Sequence, residues 1–73
     1  MQRQTFVDNM TERGYGLRYG HNGNITATKG ENTVRWVPLA NYIVYINTPT
    51  VTAITREGAT DDELLRIIDG LTA

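Results

Sequence analysis

Between Tyr15 and Thr55 the chain alternates apolar with polar or small side chains and interrupts that alternation at turn residues. This pattern constrains the fold more than any other feature. Tyr15, Leu17 and Tyr19 alternate with Gly16, Arg18 and Gly20, the period of a strand with two unlike faces. Asn22-Gly23 follows, a strong short-range hairpin signal. Ile25 to Thr28 is the expected return strand, and Lys29-Gly30-Glu31-Asn32 supplies a second turn. Thr33 to Val37 is the next strand, with Val34 and Trp36 on one face and Arg35 and Val37 on the other. Pro38 has no backbone donor, so it ends that strand or places it at an edge. Tyr42 to Ile46 is the most apolar stretch and suits a central strand covered on both faces. After a turn at Asn47-Thr48-Pro49-Thr50, Val51 to Thr55 reads as a last strand.

Helical signals flank this region. The spacing predicts a first helix from about Arg3 to Arg13, with Phe6 and Met10 on its apolar face. Thr5 and Asp8 have the spacing of a capping box, which would start the helix as late as Phe6. Gly14 is a natural C-terminal stop. The second helix opens on Thr60 with Glu63 three residues later, and Asp61 and Asp62 complement the helix dipole. Leu64, Ile67, Ile68 and Leu71 mark one buried face, and Gly70 is the expected end. The expectation is one α+β domain over residues 1–73: a small antiparallel sheet of three to five strands, flanked by an N-terminal and a C-terminal helix.

Composition narrows the function. A domain this small buries only about 60% of its unfolded surface, so most large apolar side chains are needed for the core and few are left for a deep substrate pocket. Seven Lys+Arg stand against eight Asp+Glu, so no charge excess exists to neutralise a run of phosphates. Cys is absent and His21 is the single histidine, which removes thiolate chemistry and His-rich metal sites. Asp61, Asp62 and Glu63 are consecutive and point away from one another, a poor cation cage. The expectation is a protein without metal or cofactor. No apolar run is long enough for a membrane span, and MQRQTFVDNM lacks the core of a signal peptide, so a soluble, cytoplasmic chain is expected.

His21 sits at a hairpin tip, a poor place to desolvate a catalytic imidazole. The eleven Thr have no neighbouring base in sequence and fit a solvated β face. The order of helix, three-stranded sheet and helix resembles the double-stranded-RNA-binding domain. That module implies basic residues at its second helix, where this chain has three acids. Gly14 to His21 (GYGLRYGH) also resembles part of the HicA-type RNA-cleaving toxins, which would make Gly20-His21 their catalytic Gly-His segment. The family's Gly-Ser-His is absent here, and the apolar strand at Tyr42 to Ile46 is out of its pattern.

A protein partner fits the remaining features. Six of seven basic residues are Arg, and six aromatics serve the chain. Trp, Tyr and Arg are favoured hot-spot types, and Arg pairs with carboxylates in a bidentate fork. Arg18, Tyr19, Arg35, Trp36 and Tyr45 are the candidate partner-binding residues. Neighbours on a strand face opposite ways, so in each of Arg18/Tyr19 and Arg35/Trp36 the Arg is the expected outward member. In size and character the chain resembles small phage-encoded regulators of bacterial RNA polymerase. That resemblance implies a non-enzymatic protein that binds a polymerase subunit and alters transcription. Anti-CRISPR inhibitors share the same character.

Overall fold

The computed structural model describes residues 1–40 and 43–73. The elements are α1 (Arg3–Glu12), β1 (Gly16–Tyr19), β2 (Ile25–Lys29), β3 (Asn32–Val37), β4 (Ile43–Asn47), β5 (Thr52–Ile54) and α2 (Asp61–Leu71). All five strands join one antiparallel sheet in the order β1-β2-β3-β4-β5. The fold is α+β, with a helix before the sheet and a helix after it.

Register decides what is buried. Ile25 pairs with Trp36, which pairs with Val44; Ala27 pairs with Val34, which pairs with Ile46. These two rows share one face of the sheet, and all six side chains are buried. Phe6 and Met10 of α1 and Leu64 and Ile68 of α2 join the same cluster. Both helices therefore cover one face. The Phe6 and Trp36 rings stack with centroids 6.3 Å apart.

Helix α1 ends as Gly14 predicts. Gly14 has φ +85°, its N–H donates to the Thr11 carbonyl, and the Tyr15 N–H donates to the Met10 carbonyl. This is the Schellman arrangement, in which a left-handed residue turns the last carbonyls inward. The start lies at Arg3, as the periodicity predicts, and not at the later capping-box position. Thr5 and Asp8 lie inside the helix, where the Thr5 carbonyl accepts from Asn9 Nδ2 and Asp8 Oδ1 accepts from Gln4 Nε2. The Phe6 N–H donates to the Gln2 carbonyl, and the Met1 carbonyl accepts from the Trp36 indole at 2.9 Å. A tertiary anchor upstream thus sets the first turn in place of a side-chain cap.

Asn22-Gly23 makes its turn with φ +60° and +77°, and the Asn24 N–H closes onto the His21 carbonyl at 3.1 Å. Tyr42, expected to open β4, lies outside the described residues. Strand β4 is covered by helices on one face only: Val44 and Ile46 are buried, while Ile43 and Tyr45 on the other face are half-buried. Thr60 caps α2 as expected, its hydroxyl accepting from the Glu63 N–H at 3.2 Å. Gly70 does not end the helix. Leu71 packs against the core, and the Thr72 N–H and hydroxyl both donate to the Ile68 carbonyl. Ile67 is exposed, and Leu65 packs against the core beside Leu64 and Ile68. The buried stripe is thus rotated from the one the spacing predicts.

Candidate functional site

The face of the sheet away from the helices is open. One cross-strand row runs over all five strands: Arg18 pairs with Thr26, Thr26 with Arg35, Arg35 with Tyr45, and Tyr45 with Ile54. Strands lie about 4.8 Å apart, so the row extends roughly 19 Å and its two arginines stand roughly 10 Å apart. A parallel row of Thr28, Thr33, Asn47 and Thr52 carries hydroxyl and amide groups. Thr26, Thr33, Arg35, Tyr45, Asn47 and Thr52 line a shallow depression of about 280 Å³ between the rows.

Three of the five candidate residues meet here. Arg18, Arg35 and Tyr45 share the open row, and the Arg35 guanidinium lies over the Tyr45 ring, 5.0 Å from its centroid. Such stacking holds the side chain in place while leaving its N–H groups at the edge available. Two candidates lie elsewhere. Trp36 is 3% exposed and belongs to the core, where its indole is fixed to Met1. Tyr19 faces the helix side of edge strand β1, exposed, with the Arg3 guanidinium 5.4 Å from its ring centroid. Neither contributes to the open face. Thr26, Asn47, Thr52 and Ile54 do contribute and were not among the candidates. Their period-two positions carry that signal, but only the register joins them into rows.

The electrostatics of the two sides differ. All eight acids lie off the strands: Asp8 and Glu12 on α1, Glu31 and Glu57 in connections, and Asp61, Asp62, Glu63 and Asp69 on α2. On the helix side two arginines are matched with acids. Arg13 makes a two-pronged pair with Asp69 at 2.7 and 3.0 Å, and Arg56 reaches Glu63 at 3.0 Å. The hydrogen bond from Arg13 holds the Asp69 carboxyl below its usual range, and Asp69 in turn raises Arg13. Lys29 donates to the Arg13 carbonyl at 2.8 Å. A wider bowl of about 600 Å³ has Arg13, Lys29 and Asp69 in its wall, and these three are engaged with one another through the Arg13–Asp69 pair and the Lys29 bond to the Arg13 carbonyl. On the open face neither Arg18 nor Arg35 forms an ion pair among the described residues, and their row carries no acid; Arg3 and Arg66 also form none, but lie on the helices that carry six of the eight acids.

His21 is exposed in its turn, with no carboxylate bonded to it among the described residues. Among the described residues no group of three or more His, Cys, Asp or Glu side chains is placed to hold a metal. No helix among them is long and apolar enough to cross a membrane. No protein-family model matches the chain, and no curated protein or solved structure matches it. The fold and its open face are therefore the ground for a functional reading.

Proposed function

We propose that the chain is a non-enzymatic binding module that attaches to a protein partner through the open face of its sheet. The observation that supports this reading is the row Arg18–Thr26–Arg35–Tyr45–Ile54, which carries no acid and two guanidinium groups that form no ion pair among the described residues. An uncovered sheet face with half-buried Tyr45 and exposed Ile54 offers apolar area as well as charge. The partner in this reading is a host protein with an acidic surface. Bacterial RNA polymerase is the target that the size and character of the chain favour, with altered transcription as the outcome.

The test is affinity capture from bacterial lysate with tagged wild-type protein and an Arg18→Glu/Arg35→Glu variant of unchanged melting temperature. Retention of polymerase subunits by wild type and their loss from the variant is the expected result. Equal capture by both proteins would move the interface off the sheet. Nuclease-sensitive recovery of RNA in place of protein would favour an RNA-binding role.

A further inference from the structure

Resting on that reading of the open face, we propose the form of its partner: an amphipathic α-helix with carboxylates along one flank and aliphatic side chains along the other. Three features of the face select it.

The first is backbone satisfaction. Strands β2, β3 and β4 are paired on both sides, so their N–H and C=O groups are taken up within the sheet. A segment laid on the face finds only side chains there. A helix satisfies its own backbone, whereas an extended segment leaves its peptide groups short of partners as the face is desolvated.

The second feature is polarity across the strands. The row is basic on β1 and β3, at Arg18 and Arg35, and apolar on β4 and β5, at Tyr45 and Ile54. Val37 pairs with Ile43 in the next row and extends the apolar side. A helix is about 10–12 Å across with its side chains, roughly two strand spacings. Laid along β3, it sits over Arg35, with one flank directed toward Arg18 on β1 and the other over Tyr45 and Ile43 on β4. The depression beside Arg35 and Tyr45 receives a side chain from its centre.

The third feature is charge. Arg35 is already positioned by its stacking on Tyr45, so less side-chain freedom is lost when a carboxylate arrives. A second copy of this chain does not complement the face, because face against face opposes arginines with no acid between them. Single-stranded nucleic acid fits less well. Two phosphate contacts release few counterions, and the Tyr45 ring on which a base would stack is capped by Arg35.

The experiment uses the full chain and a synthetic amphipathic helical peptide of about 20 residues, with glutamate along one flank and leucine along the other. Backbone amide shifts are mapped by NMR and affinity is read by fluorescence anisotropy. The expected shifts centre on Arg18, Thr26, Arg35, Tyr45 and Ile54. Arg18→Gln and Arg35→Gln should each weaken binding by roughly tenfold, and so should replacing the peptide's glutamates with glutamine. Arg66→Gln, which removes an exposed arginine of α2 away from the face, should bind as wild type. Absence of binding overturns the proposal, as do shifts confined to α1 and α2 or equal affinity for a scrambled, non-amphipathic peptide. Loss of lysate capture in the Arg18→Glu/Arg35→Glu variant, without peptide binding, leaves the binding module standing and removes only the helical partner.

Discussion

The hydroxyl of Thr55 completes the ladder where β5 stops. Its Oγ1 accepts from the Val44 N–H at 3.0 Å and donates to the Val44 carbonyl at 3.1 Å, while the Thr55 N–H donates to that carbonyl at 3.0 Å. Thr55 is buried, so water does not replace these bonds. Thr55→Val keeps the shape but leaves the Val44 N–H without its partner, and should cost ~1–3 kcal/mol. Denaturant titration of the two proteins measures this, and equal midpoints would show that the hydroxyl contributes nothing. The same scale explains what was legible about the site. Arg35 outward and Trp36 inward follow from the cost of burying an unpaired charge, which adjacent residues on a strand already encode. That Arg18, Arg35 and Tyr45 share one row depends on three strand registers at once. Alternation along single strands cannot supply these. Tyr19 shows the opposite failure: its period places it correctly on the helix side, yet it lies on an edge strand and stays exposed.

At the scale of elements, local signals succeeded where one residue type supplies the physics. Gly14 stops α1 because its φ of +85° is cheap only without a Cβ. A methyl group there meets nothing closer than Lys29 Cε and Nζ at 3.7 Å, so Gly14→Ala tests conformation rather than space. It should cost about 1–2 kcal/mol, read from the thermal midpoint, and no change would mean that the turn relaxes to another geometry. Signals failed where tertiary contacts compete. The Thr5–Asp8 spacing resembles a cap, but the Met1–Trp36 bond and burial of Phe6 draw the helix start back to Arg3. Gly70 resembles a stop, but Leu71 has the core to pack against and Thr72 supplies the cap.

The two helices are tied by Arg13 and Asp69, and the sign of their pH effect follows from the depressed Asp69 pKa. A carboxylate whose folded pKa lies below its unfolded value, about 3.9, stabilises the fold above that value. The contribution is lost as pH falls through the folded pKa. Asp69 is 54% exposed, so solvent screens the pair and Asp69→Asn should cost less than ~1 kcal/mol at neutral pH. Denaturation at neutral pH and near pH 2 checks this, because the gap between wild type and variant should close in acid. A gap that persists there would assign the effect to packing rather than charge.

For the molecule as a whole, a net charge of -1 conceals a division of labour. Six of the eight acids lie on the two helices, while the open-face row carries none and its two arginines form no ion pair among the described residues. The same division separates stability from recognition. One layer of apolar side chains between sheet and helices holds the fold, and Ile68 is fully buried at its α2 side. Domains are stable by ~0.05–0.15 kcal/mol per residue, which for 73 residues amounts to roughly 4–11 kcal/mol. Ile68→Ala removes three carbons from this layer and should cost ~2–5 kcal/mol, a large share of that total. At about 4–8 °C per kcal/mol for a domain of this size, the melting temperature should fall by roughly 8–40 °C or the chain should fail to fold. Arg35→Gln, on the open face, should leave it within a few degrees, since exposed substitutions stay within about 0.5 kcal/mol. Circular dichroism melts of the two variants, run side by side, decide the matter. A large loss in Arg35→Gln would make the open face part of the scaffold, and an unchanged Ile68→Ala would take α2 off the core.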